Sequence, residues 1–299
     1  MPLSVVINTK DAESTLKSCL QSVSFADEIV VVDMHSTDNT VNIARQFTDK
    51  IFEYKDVGYV EPARDFAIEK ASYDWILVVD ADERVPNELK KYLASLINSE
   101  NPDDVYLIPR KNIIFDKWIK GAGWWPDYQP RFFKKGHVIW QRAIHSKPSI
   151  SGRRTRLPAR EELALEHLNY KSVEQFIERL NRYTTVQAQE RKSASDSISS
   201  AELVDSFQRE LVQRLFAQEG LKIGTHGLVL AFLQAFSEMA VAAKIWQQQG
   251  FESKDTTNDN AAAVSLLRQH LAYWLADYQV NHSFGLGKIY WMVRRRLKI

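Results

Sequence analysis

The sequence has one cysteine and lacks the short motifs that most often mark a metal or nucleotide site. With Cys19 alone, no internal disulfide can form. No CxxC, HExxH or GxSxG occurs, which excludes a structural zinc site, zincin proteases and the common hydrolase elbow. The first apolar run continues into NTKDAES, which has no glycine, so it is neither a P-loop nor a dinucleotide fingerprint. A bound nucleotide would therefore need side-chain acids and a metal ion.

The sequence also lacks an excess of charge of either sign. The 39 basic and 38 acidic residues give a formal net charge of +1, so no overall field indicates a nucleic-acid partner. Basic clusters occur locally, at 153–160 and 294–298. The apolar run from Leu3 to Ile7 is too short for a signal peptide, so we expect a cytoplasmic protein.

The first 110 residues alternate between strand-like and helix-like patterns, which is typical of a parallel sheet covered by helices. A mixed or antiparallel extension with aromatic-rich turns follows at 104–150, and helical patterns dominate afterwards. We therefore predict an α/β domain at 1–170 and a helical region at 171–299. The predicted strands are 3–8, 28–33, 50–54 and 75–80, and the predicted later helices are 172–192, 200–218, 222–248 and 260–280.

Polar residues follow three of the apolar strands. Asn8, Asp33 and Asp80 end them, and the carboxyl ends of parallel strands share one edge, where open α/β sheets bind ligands. The run WILVVDADER adds Asp82 in a D-x-D pattern, whose carboxylates suit Mg²⁺ or Mn²⁺. The alternative is a solvated turn at the strand end, with Glu83 and Arg84 paired on the surface.

Four stretches together resemble the family-two, GT-A type glycosyltransferases. Within that family the chain is most similar to the branch containing lipopolysaccharide-core β-glycosyltransferases and peptide S-glycosyltransferases. The resemblance covers residues 3 to about 170 and implies a Rossmann-like, mostly parallel sheet flanked by helices. The turn NTKDAE departs from the aromatic residue followed by Asn-Glu-Glu that is more usual in this branch. The four stretches are SVVINTKDAE, ADEIVVVDMHSTDNTVNIA, ARDFAIEKASYDWILVVDADE and GAGWWPDYQPRFFKKG, the last followed by His145.

The resemblance also implies site residues for the donor and the metal. In that pattern Asp82 is the metal ligand proper, and Asp127 in WWPDYQ matches the base on the acceptor side. The expected cofactor is Mg²⁺ or Mn²⁺. The donor-binding residues implied are Asn8 and Thr9 at the nucleoside, Asp33 at the base, Arg64 and Asp65 at the diphosphate and ribose, and Asp80 of the D-x-D.

The assignment of Asp127 also makes chemical sense. An inverting transfer is a one-step displacement, so one carboxylate must accept the acceptor's proton while a metal absorbs charge on the departing diphosphate. Arg131 is suited to steadying that diphosphate through two hydrogen bonds. His145 is either a further metal ligand or a hydrogen-bonded core histidine, and we expect His167 to pack and orient a loop. Three aromatic residues offer flat faces to an acceptor sugar or pack in the core: Trp124, Trp125 and Tyr128.

The helical region allows two interpretations. Its apolar stretch from Leu228 to Phe236, nine residues long, is too short to span a bilayer and predicts a buried bundle helix. Alternatively it is an interfacial helix that, together with the terminal WMVRRRLKI, brings the protein to the inner face of the cytoplasmic membrane. Four aromatic residues fit either a homodimer interface or a membrane surface: Tyr273, Trp274, Tyr290 and Trp291.

The sequence therefore predicts an inverting, metal-dependent hexosyltransferase that uses a nucleotide sugar, with UDP the expected nucleotide. The acceptor is a glycan or a lipid-linked molecule such as lipopolysaccharide core, with a peptide as the alternative. A nucleotidyltransferase is the runner-up, but it would carry a glycine-rich basic first loop. A third hypothesis, a scaffold with vestigial acids, conflicts with the four intact acids: Asp33, Asp80, Asp82 and Asp127.

Overall fold

The computed structural model describes residues 2–140, 148–191, 198–252 and 257–297, so His145 lies outside the described residues. The chain divides into two compact units. The sheet unit comprises residues 1–118 and 124–171, and the helical unit comprises residues 119–123 and 172–299. The predicted boundary at 170/171 lies one residue from this division, whereas no pattern in the sequence separated residues 119–123 from the sheet unit.

The sheet unit alternates strands and helices over its first half and contains mostly strands over its second. Its helices are α1 (Leu16–Ser22), α2 (Thr40–Ala44), α3 (Glu61–Lys70) and α4 (Asn87–Ile97). Its strands are β1 (Leu3–Thr9), β2 (Glu28–Asp33), β3 (Ile51–Glu53), β4 (Trp75–Asp80), β5 (Glu83–Arg84), β6 (Val105–Ile114), β7 (Lys117–Trp118), β8 (Asp127–Lys134), β9 (Val138–Ile139), β10 (Ser149–Ile150), β11 (Arg154–Arg156) and β12 (Leu165–Tyr170).

The main sheet runs in the order β3-β2-β1-β4-β8-β6-β12-β5. Strands β3, β2, β1 and β4 are parallel, β8 is antiparallel to both β4 and β6, and β12 is again parallel to β6. The parallel strands read as continuous apolar runs because both of their faces are buried. On β1, Val5 and Ile7 belong to the core cluster that includes α1 and α4, whereas Val6 belongs to the cluster that includes α3. The predicted fold class, a mostly parallel sheet flanked by helices with a helical region after it, is confirmed.

The register of the parallel strands aligns their polar ends. Asn8 on β1 is the direct neighbour of Asp80 on β4, and Thr9 is the direct neighbour of Asp33 on β2. Because neighbouring strands lie about 4.8 Å apart, these side chains share one edge of the sheet. This is the edge at which the sequence predicted a ligand site.

The described part of the helical unit contains five long helices. Helix α7 packs against α5 and α6, and α8 packs against α6 and α9. At 24 residues, α7 is long and apolar enough, by length and composition alone, to cross a membrane, although the predicted apolar core was only nine residues long. It is partly buried, and Lys244 on it bonds Asn181 and Thr184 of α5. The helices are α5 (Val173–Arg191), α6 (Ser200–Val212), α7 (Thr225–Gln248), α8 (Thr257–His282) and α9 (Gly285–Leu297).

At the opposite edge of the sheet, one buried carboxylate joins the starts of several strands. Glu28, at the start of β2, accepts hydrogen bonds from Ser4 on β1 and from Lys50 before β3. It also accepts bonds from the backbone N–H and the hydroxyl of Ser72, both at 2.7 Å. Burial raises the pKa of Glu28, but the bonds that it accepts outweigh burial and lower the pKa to about 2.

We expect Glu28→Gln to lower the free energy of unfolding at pH 7 by about 1–3 kcal/mol, because an amide cannot accept all of these bonds and leaves buried donors unsatisfied. The native pKa lies below that of the unfolded chain, so the stabilisation is present above about pH 4.5 and is lost as the pH falls towards 2. Urea denaturation between pH 2 and pH 7 measures this, with the exposed Glu88→Gln as the control. A difference between wild type and variant that stays constant down to pH 2 would contradict the account.

Candidate active site

The carboxylate of Asp80, at the end of β4, lies between two arginines. Arg64 Nη2 donates to Oδ1 at 2.8 Å, and Arg131 donates to Oδ1 at 3.3 Å and also to Oδ2. Burial raises the pKa of Asp80, but the charges of Arg131 and Arg64 outweigh burial and hold it well below its usual range. Asp80 is therefore a fixed negative charge at neutral pH, with its oxygens already bonded by the protein.

Glu83, which follows the D-x-D, is fully buried beneath the site. Its carboxylate accepts the backbone N–H of Asp80 at 2.9 Å and Arg131 Nη2 at 3.0 Å. Arg84 instead bonds the hydroxyl of Ser18 and lies 3.6 Å from Glu166. The alternative in which Glu83 and Arg84 pair on the surface is therefore wrong, because the turn needs Glu83 inside to hold both the backbone of Asp80 and the buried arginine.

Asp127 begins strand β8 and is held by side chains of neighbouring residues. Arg110 Nε donates to Oδ2 at 2.8 Å, Asn112 Nδ2 donates to the same oxygen at 3.1 Å, and Gln129 donates to Oδ1 at 2.8 Å. Burial raises the pKa of Asp127, but Arg110 and the two amides outweigh burial and lower it. The carboxylate is therefore ionised at neutral pH and oriented, while about a fifth of the side chain stays exposed.

His167 connects Asp82 to Asp127 through Asn112. The amide nitrogen of Asn112 donates to Asp127 and to the carbonyl of Trp124, so its oxygen is the acceptor that faces His167 Nδ1 at 2.7 Å. Nδ1 must therefore carry a proton, which leaves Nε2 facing Asp82 Oδ2 at 3.5 Å. In the neutral imidazole, a lone pair then points towards a carboxylate, an arrangement that a cation between the two groups stabilises.

Asp82 and His167 thus fit a divalent metal in their chemistry. An orienting hydrogen bond on the other ring nitrogen is the usual arrangement of a metal-bound histidine. No group of three or more His, Cys, Asp or Glu side chains that could hold a metal occurs among the described residues. A metal held by this pair would take its remaining ligands from water or from a phosphate, as Mg²⁺ commonly does. We expected His167 to pack and orient a loop, whereas the structure brings its Nε2 to 3.5 Å from Asp82 Oδ2.

The predicted nucleoside residues lie together at the ends of β1 and β2. Asn8 Nδ2 donates to the carbonyl of Ala63 at 2.9 Å, while Asn8 Oδ1 and Thr9 Oγ1 are buried without a hydrogen-bond partner among the described atoms. Asp33 accepts the N–H and the hydroxyl of Ser36, at 2.9 and 2.6 Å. A cavity of about 340 Å³ opens beside Asp33. Asp33 therefore accepts hydrogen bonds from the loop after β2 and also lines this cavity.

Two residues predicted to contact the donor, Asp65 and Arg131, make other contacts in this structure. Arg64 faces the acids, but its neighbour Asp65 points elsewhere and accepts the backbone N–H of Trp140 at 3.0 Å. Arg131 is only 1% exposed, and its terminal nitrogens donate hydrogen bonds to Asp80 and Glu83. It would reach a diphosphate only by breaking those bonds, so its observed role is to hold the acids.

The predicted aromatic residues lie half-buried before and after Asp127. Trp125 packs edge-on against Trp118 at 5.2 Å between ring centroids, and Trp124 packs edge-on against Tyr170 at 6.4 Å. The hydroxyl of Tyr128 donates to the carbonyl of Leu157 at 2.9 Å. Each ring is thus fixed in place on one side, as a rigid binding surface requires.

Four residues of the site were not predicted as site residues from the sequence: Glu83, Arg110, Asn112 and Gln129. A signal existed for two of them. Arg110 and Asn112 are two residues apart on β6, so they project from one face of a strand that is otherwise mostly apolar. Their partners Asp127 and His167 are their direct neighbours across the ladders, and only the strand register reveals this.

Sequence comparison agrees with this geometry. The profile of the family described as Glycosyl transferase family 2 matches residues 4–154, which is half of the chain. The chain belongs to this family and is a glycosyltransferase, so the resemblance noted from its motifs is confirmed.

Similar proteins extend over most of the chain. The lipopolysaccharide core biosynthesis glycosyltransferase LpsC of Rhizobium meliloti (strain 1021) is 24% identical over 275 residues, covering 87% of this chain and 97% of that protein. An uncharacterized glycosyltransferase of Rickettsia felis is 25% identical over 252 residues, covering 81% and 89%. Among solved structures, Staphylococcus aureus TarS 1-349 in complex with UDP covers 87% of this chain and 95% of its own, with 16% identity and a TM-score of 0.45.

We expect Arg131→Met to lower the free energy of unfolding by about 3–5 kcal/mol, because it leaves the fully buried charge of Glu83 and the mostly buried charge of Asp80 without their common partner. Urea denaturation monitored by circular dichroism measures the change. Lys91→Met, which removes an exposed ion pair with Glu88, serves as the control and should cost less than about 0.5 kcal/mol. Equal small losses in the two variants would show that the buried arginine does not hold the acids.

Proposed function

We propose that the chain is a metal-dependent inverting glycosyltransferase that moves a sugar from a UDP-sugar to a glycan or lipid-linked acceptor. The observation that carries this is the chain of contacts from Asp82 through His167 and Asn112 to Asp127. It joins a pair of groups suited to a metal with an ionised carboxylate suited to deprotonate an acceptor. A peptide acceptor remains the alternative expected from the sequence resemblance.

On the donor side, Asp82 and His167 would hold Mg²⁺ or Mn²⁺. When bound, the metal neutralises the charge that develops on the departing diphosphate. Arg64 adds a positive charge next to Asp80, close to where β4 ends. Two buried oxygens without a partner among the described atoms, Asn8 Oδ1 and Thr9 Oγ1, lie at the end of β1. Because buried polar atoms normally have a hydrogen-bond partner, these oxygens are suited to bond a nucleoside.

On the acceptor side, Asp127 acts as the base. As the acceptor's hydroxyl oxygen forms its bond to the anomeric carbon, the bond from that carbon to the diphosphate oxygen breaks, and the hydroxyl proton passes to Asp127. Arg110, Asn112 and Gln129 keep the carboxylate ionised and aimed, which reduces the reorganisation needed during the reaction. Trp124, which lies half-buried close to Asp127, is suited to stack against the acceptor sugar.

The proposed acceptor is of the lipopolysaccharide-core type, and the proposed location is the cytoplasmic face of the inner membrane. LpsC supports this acceptor, because its similarity runs along nearly its whole length. A panel of nucleotide sugars without acceptor identifies the donor through slow hydrolysis. Adding core glycans to the selected donor then tests the acceptor, and no transfer to any core glycan would overturn that part of the proposal.

We expect Asp82→Ala and His167→Ala each to abolish the Mn²⁺-dependent thermal stabilisation by UDP. At a ligand concentration of about 100 times Kd, a ligand that binds only the native state adds about 2.7 kcal/mol, and this gain disappears when the metal is lost. His137→Ala replaces a half-buried histidine of the sheet unit outside the site and controls for the loss of a histidine elsewhere. Stabilisation that survives in both variants would remove the pair as the metal site.

We expect Asp127→Asn to lower kcat by about 100-fold or more, because the amide cannot accept the hydroxyl proton, while UDP binding with Mn²⁺ stays unchanged. Steady-state transfer assays and calorimetric titration separate the two effects. Asp74→Asn, on the exposed turn before β4, is the matched control. Turnover near that of wild type would exclude Asp127 as the base.

A further inference from the structure

Large exposed apolar side chains are distributed unevenly over the described part of the chain. Among the described residues of the sheet unit only Val57 and Ile139 reach such exposure, whereas the other side chains of this kind belong to the helical unit. The densest group lies on and just before α9, where no residue is buried and Phe284 is 91% exposed. A contiguous apolar surface of this kind marks an interaction site.

Helix α9 turns its apolar side away from its own unit. The side that packs on α8 carries Arg295, whose Nη1 bonds Asp277 at 2.7 Å, and the half-buried Trp291. At 100° per residue, the opposite side collects residues spaced by three and four positions. These residues are Leu286, Ile289, Tyr290, Val293 and Leu297, and each is more than half exposed.

Positive charge borders this apolar side on both edges. The same helical geometry places Arg294 next to Tyr290 and Arg296 next to Ile289, so one arginine lies along each edge. Arg294 extends over the rings of Tyr290 and Trp291, with its guanidinium 5.7 and 5.4 Å from the ring centroids. The sequence from 283 to 299 contains five basic residues and no acidic residue.

We propose that α9 docks on an anionic membrane surface, lying in the plane of the headgroups with its apolar side among the acyl chains. An apolar side between two basic edges is the arrangement of interfacial helices, in which arginine stems extend along apolar surface and their charges reach phosphate. At 13 residues, α9 is about 20 Å long, too short to cross a hydrocarbon core of about 30 Å. This proposal does not depend on the reaction proposed above.

Charge decides between this occupant and a second copy of the chain. Pairing two α9 helices through the same side would bring the arginines of both edges together without an acid on either helix to balance them. An anionic leaflet, by contrast, attracts each of these arginines. The surface therefore fits a lipid headgroup layer better than it fits itself.

Flotation of the whole chain with vesicles tests the proposal without substrate. Vesicles of 70% phosphatidylcholine and 30% phosphatidylglycerol should bind the chain at least tenfold better than pure phosphatidylcholine vesicles, and salt at about 0.5 M should remove the difference. Ile289→Gln should weaken binding about tenfold or more, because it removes an apolar side chain that the bilayer would bury. Arg294→Gln with Arg296→Gln should weaken it about fivefold per arginine.

Ile139→Gln is a matched control, because this isoleucine in the sheet unit is 57% exposed and Ile289 is 58% exposed. It should leave vesicle binding unchanged, and circular dichroism should show that all variants remain folded. The proposal is overturned by absent binding to anionic vesicles or by equal effects of Ile139→Gln and Ile289→Gln. It is also overturned if Ile289→Gln dissociates a dimer in sedimentation while vesicle binding persists.

Discussion

The structure depends on one buried arginine that holds two carboxylates at the end of β4. Burying three charges is costly, and only good geometry with hydrogen bonds to every partner offsets that cost. Arg131 meets this condition by bonding both Asp80 and Glu83, and Arg64 adds a second positive charge. Of the two acids in the D-x-D, Asp80 therefore bonds the arginines and holds the end of the strand. The second acid, Asp82, faces His167.

The sequence predicted the part of the fold in which local patterns and tertiary packing agree. Strands such as β1 and β4 contain continuous apolar runs, so the sequence predicts them as buried strands of a parallel sheet. It could not predict the contacts between Arg110 and Asp127 or between Asn112 and His167. These pairs are set by register between strands far apart in the chain, and a shift of one residue would point each side chain to the other face.

The helical unit shows a different limit. Apolar residues spaced by three and four positions make α9 amphipathic, but this spacing does not tell which side of the helix faces the protein. The ion pair between Arg295 and Asp277 decides this, because it fixes the charged side against α8 and leaves the apolar side in solvent. An amphipathic pattern is ordinarily taken as a sign of burial in the molecule's own core, and here the structure reverses that inference.

Asn112 serves both halves of the site with a single amide group. Its oxygen sets which nitrogen of His167 carries the proton, while its nitrogen anchors Asp127. Rotating the amide by half a turn would present a donor to the histidine and an acceptor to the carboxylate, so both ends would be mismatched at once. A substitution at position 112 would therefore change the surroundings of His167 and of Asp127 at the same time, so neither side chain can be altered separately through this position.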